Sequence, residues 1–379
     1  MKKYICIFAF LLLSGCVDDP STPPLDTFVV GTDGVMVLCE GVRNTDKGSI
    51  TRIDFSTGSF SNNYFSACNP DLKLGDVAED MVICDTICII SVSGAGCINI
   101  ISMNSGKLLD RLVFPSFVMP RKLCVINDTL AFVTAYIEMS GDDFYVYYFN
   151  PQDMVNSQLL LNEHCIRVGS HPEGIAFYRD LLFITNSGYG DFQYTNPTAA
   201  TISVIDINAK QVVNTLKTGD NPNRIYEHNG NLYVACWGLP SDTTGKSARI
   251  IEYDGTTLSE KRSWNIGCYD MCFLGDTLFF LNNTMRNTIV GTGGVYYIPL
   301  RDEDAVPHPF IVNTQQYEIW TALAIDTATM QLWIGNSFRY TTAAELNVYD
   351  LHSPNSISQH YTTGIIPNTI KFYHYVTKK

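Results

Sequence analysis

Seven aromatic side chains stand in long polar stretches of this sequence: Tyr136, Tyr189, Phe192, Tyr194, Trp237, Phe338 and Tyr340. Polar groups with hydrogen-bonding capacity accompany them at Arg121, Glu173, Arg224, Asp270, Arg339 and Asn368, and further rings follow at Tyr269, Tyr317 and Trp320. Rigid rings with a few converging polar groups suit a large, flat, uncharged ligand, held by stacking and hydrogen bonds. A single such ring is most simply explained by packing into its own loop. Rings gathered on one face favour binding, because an uncovered aromatic face is costly. The candidate ligand contacts are therefore Tyr136, Glu173, Tyr189, Phe192, Arg224, Trp237, Asp270, Trp320, Phe338, Arg339 and Tyr340.

Catalytic chemistry has little to stand on. His171 lies two residues before Glu173, and such a pair could act as acid and base in a lyase. No second His or carboxylate has ligand spacing around His171, so a hydrogen-bonded loop histidine is the simpler reading. GxSxG, HExxH, P-loop, CxxC and CxxCH patterns are absent. The expectation is a binding protein with no catalytic residue and no protein metal ligand.

The elements that must hold these loops repeat. An apolar anchor recurs at Val35, Ile87, Leu130, Leu182, Leu232, Leu278 and Leu332. The period is long enough for one supersecondary unit per copy. Four residues after each anchor stands a small polar or thiol residue: Cys39, Ser91, Thr134, Asn186, Cys236, Asn282 and Asn336. The positions between are apolar on both parities, as a strand sandwiched between two layers requires. A third strand then ends in Asp54, Asp206, Asp254 or Asp350. The carboxylate there can accept backbone N–H groups two residues on and close a hairpin. Helical periodicity is absent after residue 16. Four short strands per period of this length are the signature of a propeller.

The fold class expected is all-β: a seven-bladed β-propeller with four antiparallel strands per blade. The first copy lacks an innermost strand, and Pro367-Asn368-Thr369-Ile370 matches Pro172-Glu173-Gly174-Ile175 and Pro222-Asn223-Arg224-Ile225. The C-terminal strand should therefore close the first blade and remove an open edge. In such a ring the second-to-third strand loops share one face. These are the long loops, 40–49, 136–143, 187–200, 237–248, 283–293 and 337–345. Long loops on a rigid scaffold carry function.

Three ranges divide the chain. Residues 1–15 read as a signal peptide, with Lys2-Lys3 followed by an apolar run too short to span a bilayer. Leu13-Ser14-Gly15-Cys16 resembles a bacterial lipobox, which implies lipidation at Cys16. Residues 16–33 read as a tether, extended at the PSTPP run from Pro20 to Pro24. Residues 34–379 form the propeller. A net charge of −13 without a basic stripe argues against nucleic acid. Of the 12 cysteines, those at Cys39, Cys88, Cys124, Cys236 and Cys272 fall in separate predicted strands and read as buried thiols. A bridge between Cys84 and Cys88 is the alternative at one hairpin.

The phrases LFITN, LYVAC and ISVID, with a following TG, resemble the YVTN-type repeat of bacterial propellers across Val35 to Tyr375. The runs LKLGDVAEDMVI, YIPLRDEDAVPHPF and TGIIP are similar to surface propeller lipoproteins of Gram-negative gut-type bacteria, which include the cobalamin-capturing BtuG type. Val17 after the lipobox Cys and Asp18-Asp19 resemble outer-membrane sorting and surface-export signals. The resemblance implies a lipid-anchored, surface-exposed protein of the outer membrane. It further implies that cobalamin or a related corrinoid is bound as ligand, not cofactor, and passed to a TonB-dependent outer-membrane transporter. The alternative is a glycan-binding or protein-scaffolding propeller of a nutrient-uptake system, since aromatic platforms serve sugars equally well.

Overall fold

The computed structural model describes residues 28–137, 144–189, 196–239, 241–242, 247–282, 293–313, 318–338 and 340–378. The side chains of 28–30 and 375–378 are not described. Seven four-stranded antiparallel sheets stand as the blades of a propeller. Each second strand contains its anticipated anchor: Phe28–Cys39, Ile87–Val92, Leu130–Ile137, Leu181–Asn186, Asn231–Cys236, Thr277–Asn282 and Gln331–Asn336. Pro367–Lys378 supplies the innermost strand of blade 1 and pairs antiparallel with Phe28–Cys39. Closure is thus by the two ends of the sheet-forming chain, and pairing reaches back to Phe28, inside the stretch read as tether.

The packing explains why both strand faces are apolar. Seven buried clusters occupy the seams between successive blades. In blade 5, Leu232, Val234 and Cys236 face blade 4, while Tyr233 and Ala235 face blade 6. In blade 1, Met36 and Leu38 face blade 2, while Val35, Val37 and Cys39 face blade 7. Side chains alternate with a period of two, so a strand between two blades must be apolar at every position. The cysteines from Cys39 to Cys272 are free thiols. Strand register sets Cys84 opposite Ile87 and Cys88 opposite Ile83. The two thiols therefore lie on different faces of the hairpin.

The anticipated Asp turns form. Asp206, Asp254 and Asp350 each accept a backbone N–H two residues on, from Asn208 at 2.8 Å, Thr256 at 2.9 Å and His352 at 2.8 Å. Among the described residues two short helices, Tyr64–Cys68 and Met154–Leu159, interrupt the otherwise all-β chain. Neither completes two turns, too short to leave a 3.6-residue pattern in the sequence. The second helix guards a sheet edge. Its Gln158 accepts from Val113 N at 2.7 Å and donates to Val113 O at 2.9 Å. That contact pairs the outer edge of blade 2, which would otherwise be open. No helix among the described residues is long and apolar enough to cross a membrane. Cys16 and the rest of the signal lie outside the described residues.

Candidate functional site

Innermost strands begin in a shared way, and this builds the site. The residue before the strand is left-handed at Val77, His171, Asn221 and Ile366, with φ of 54°, 53°, 53° and 58°. In all four its carbonyl accepts the N–H of the first loop residue: Val77 O from Ser93 at 2.8 Å, His171 O from Ser187 at 3.0 Å, Asn221 O from Trp237 at 2.9 Å, and Ile366 O from Glu40 at 2.8 Å. The loop is thereby pinned to the rim of the central channel. Within the next few residues a register shift interrupts pairing in six of the innermost strands, at Ala78/Asp80, Pro120/Leu123, Pro172/Ile175, Pro222/Arg224, Trp320/Ala322 and opposite Leu38/Cys39. Bulges re-aim side chains. Here they turn successive residues, such as Arg121 and Lys122 or Asn223 and Arg224, toward the channel.

Two aromatic stacks result, each backed by an arginine. The Arg121 guanidinium lies 4.5 Å from the Tyr136 ring centre, and Tyr136 stacks on Tyr189 at 6.0 Å. The Arg224 guanidinium lies 5.7 Å from the Trp237 ring centre, and Trp237 stacks on Tyr269 at 4.9 Å with 14° between planes. Tyr136, Tyr189, Trp237, Arg121, Arg43 and Asn223 line a mouth cavity of about 230 Å³. Tyr189 is 54% exposed and presents ring surface to solvent, whereas Tyr136 is buried.

Glu173 joins the two stacks from below. Its side chain is 1% exposed. Arg121 donates to both its oxygens, at 2.9 and 3.0 Å, and Arg224 approaches to 3.7 Å. Arg121 also makes a close ion pair with Glu79. Lys122 Nζ donates to Glu79 O at 2.5 Å and lies 3.6 Å from its carboxylate. Burial opposes the charge on Glu173, but Arg121, Lys122 and Arg224 together hold its carboxyl below the usual range. Below this network the channel opens into a cavity of about 570 Å³, lined by Lys122, Arg224, Tyr226, Asp270, Asn368 and Lys371 among others.

Glu40, first residue of the blade 1 loop, stands at this mouth. Burial and the Glu79 charge push its carboxyl up to about 7, against the pull of Arg121, Lys122 and Arg224. A carboxyl raised on folding stabilises the native state fully below its unfolded value of about 4.3. That contribution is lost as pH rises through about 7. Glu40→Gln is therefore expected to stabilise the chain at pH 8 while changing little near pH 4, as read by urea unfolding at both pH values. Equal effects at the two values would refute a titrating Glu40.

The remaining candidates divide. Asp270 is a buried wall residue: its oxygens accept Tyr226 OH at 2.6 Å, Met271 N at 3.0 Å and Leu323 N at 3.3 Å, the last stitching blade 6 to blade 7. Trp320 is corrected from rim to core. It is buried in the seam of blades 6 and 7 among Phe279, Leu281 and Leu332, with its Nε1 donating to Glu318 at 3.2 Å. Phe338 and Tyr340 are half-buried in the blade 7 loop, both left-handed at φ 47° and 63°. Burial pushes the Tyr340 phenol up, and Tyr269 and Glu40 add to the effect, which sets Tyr340 at the same mouth. Phe192 and Arg339 lie outside the described residues, as do Tyr194 and Tyr317. His171 packs between Tyr136 and Phe144, at 5.4 and 4.7 Å, with Ser170 Oγ 2.9 Å from its Nδ1.

Sequence patterns alone did not single out Glu79, Lys122, Glu40 or Tyr226. A signal existed for Glu79: Ala78-Glu79-Asp80-Met81 stands in the same phase as Pro172-Glu173-Gly174-Ile175. Proline in the matching phrases masked the equivalence.

No family model matches the chain, and no curated protein matches it in sequence. Solved structures match its fold. A quinonprotein alcohol dehydrogenase-like protein of Bacteroides thetaiotaomicron is 12% identical over 90% of this chain and 78% of its own, with a TM-score of 0.61. Hydrazine synthase of Kuenenia stuttgartiensis is 12% identical over 78% of this chain and 92% of its own, with a TM-score of 0.58. AztD of Citrobacter koseri is 11% identical over 92% of this chain and 100% of its own, with a TM-score of 0.53. At such identities the likeness establishes the propeller fold alone.

Proposed function

We propose that this propeller is a surface capture protein that binds cobalamin or a related corrinoid across the channel mouth. The observation that carries the reading is the pair of arginine-backed aromatic stacks flanking one cavity. A corrin is broad and apolar in its ring and fringed with amides. It would lie over the exposed Tyr189 face and the Trp237 stack, with its fringe reaching Asn223 and Arg43. The mouth cavity holds about 230 Å³. That is less than pockets enclosing a whole small ligand usually hold, so a corrinoid would be gripped by one edge. Binding without turnover is favoured because Arg121 occupies both Glu173 oxygens and His171 is packed between rings.

In this reading Cys16 carries the lipid and holds the protein at the outer membrane. Phe28 pairs with Lys378 at the end of the closing strand away from the mouth. The tether would therefore leave the face opposite the ligand, which suits a mouth turned from the anchor toward its cargo. A TonB-dependent transporter is the proposed receiver, and co-purification of such a transporter with the tagged lipoprotein tests it.

Calorimetric titration with cyanocobalamin tests the ligand. Saturable binding is expected, with Tyr189→Ala about tenfold weaker, the usual cost of an aromatic contact at a binding centre. No heat with cyanocobalamin, together with hits on a glycan array lost in Tyr189→Ala, would replace the corrinoid by a sugar at the same mouth.

A further inference from the structure

The channel below the mouth holds two polar groups that the fold leaves unspent. Among the described residues, the Arg224 guanidinium, which also lies over Trp237, makes its hydrogen bond through Nη1 alone, which donates to Asn223 Oδ1 at 3.0 Å and lies 3.7 Å from Glu173. Its Nε and Nη2 donors have no protein acceptor there. On blade 1, Asn368 donates through Nδ2 to Ala78 O at 2.6 Å, while its Oδ1 is buried without a partner. Both residues line the cavity of about 570 Å³. The Arg224 donors open onto the channel, and the Asn368 acceptor is buried beside it; a buried acceptor left unmade is costly and marks where a further group belongs. Arg121 offers no such vacancy, since its N–H groups go to Glu79 and Glu173.

What that group is follows from charge. Four carboxyl groups (Glu79, Asp80, Glu173, Asp270) face four cations (Arg121, Lys122, Arg224, Lys371) around the channel, with Glu40, its carboxyl raised to about 7, at the mouth and His374 in the lower wall. The channel thus carries no surplus of positive charge to meet an anion. An anion would add negative charge in a desolvated place, whereas an uncharged group that both accepts and donates would meet both vacancies. A carboxamide does this: its oxygen accepts from Arg224, and its N–H faces the acceptor side of the channel.

We propose that the channel is a second subsite, which takes an uncharged carboxamide arm entering through the mouth and reads its oxygen with Arg224. The subsite continues the mouth, because Asn223 lines the upper cavity and Arg224 the lower one. It deepens the corrinoid reading and rests on it only for the molecule that carries the arm.

The test uses the full chain in detergent with ¹⁵N-labelled arginine, the Arg224 Nε–H signal being assigned by its loss in Arg224→Lys. Propionamide is expected to shift that signal saturably, and propionate to bind at least about tenfold more weakly. Asn368→Ala, on a different blade, is expected to weaken propionamide several-fold while the assigned signal persists. Equal or tighter binding of propionate overturns the proposal, as does the absence of any saturable shift, which would leave the channel to water. The two readings separate cleanly. Propionamide binding without cyanocobalamin binding removes the corrinoid and keeps the subsite. Equal cyanocobalamin affinity in wild type and Arg224→Gln, with propionamide inert, removes the subsite and keeps the mouth.

Discussion

Removing residues 365–379 is expected to abolish cooperative unfolding and leave an aggregating chain. The lost segment contributes the strand Pro367–Lys378, whose pairing runs from Phe28↔Lys378 to Cys39↔Pro367. It also contributes Ile370 and Phe372 to the seam with blade 7, where Phe372 meets Trp333 edge-on at 5.7 Å. Two stitches go with it: Thr321 Oγ1 to Pro367 O at 2.6 Å, and Asn368 Nδ2 to Ala78 O at 2.6 Å. Each buried side chain of this size is worth about 1.5–3 kcal/mol, and a whole domain has about 5–15 kcal/mol to lose. Val35 to Cys39 are fully buried in the intact ring. In the truncated chain their strand becomes a bare apolar edge. Urea unfolding followed by circular dichroism reads the outcome. A permuted chain, with Lys378 joined to Phe28 and new ends after Gly364, recovers the transition because the same strands meet. If the truncated chain unfolds at the full-length midpoint, ring closure is not what holds the blades.

The second large effect is Arg121→Ala, expected to cost about 3–5 kcal/mol at pH 7, since it strands the buried carboxylates of Glu173 and Glu79 without their main partner. The cost arises from orphaned charge more than from a lost attraction. Adding Glu173→Gln to Arg121→Ala should therefore restore part of the loss instead of deepening it, a non-additivity that a double-mutant cycle measures. The pH dependence has a definite sign. Glu173 is held low in the folded state. Such a carboxyl stabilises that state above its unfolded value of about 4.3, and the contribution fades as pH falls through the folded value. Without Arg121, burial dominates and raises Glu173, so the deficit of Arg121→Ala shrinks on acidification from pH 7 to about 4.5. A deficit that is constant over that range, or one deepened by Glu173→Gln, contradicts the assignment.

Both results depend on contacts between residues far apart in sequence, and this divides what was legible in advance. The blade count, the strand order within each blade and the identity of the closing strand were all readable. They rest on local repetition: an apolar anchor, a small residue four places on, an Asp at the third-strand end, and a Pro-led phrase before several inner strands. Val35, Leu182 and Leu332 announce their strands without any knowledge of what lies beside them. The sidedness of the long loops followed too, because antiparallel alternation leaves no other arrangement.

Which rings meet was not legible. Trp320 and Trp237 both stand near the channel end of their blades, yet one is sealed in a seam and the other lines the mouth. The difference lies in the bulge phase and in the neighbouring blade, a whole repeat away in sequence. Arg121 and Arg224 looked alike as channel arginines. Only the folded ring shows that Glu79 and Glu173 consume the first and leave arms of the second open. The chain by itself determined the ring, because each blade's strands are specified by a period that its own residues carry. The tertiary structure decided the site, because charge pairing and ring stacking at the mouth depend on distances between blades that no single repeat encodes.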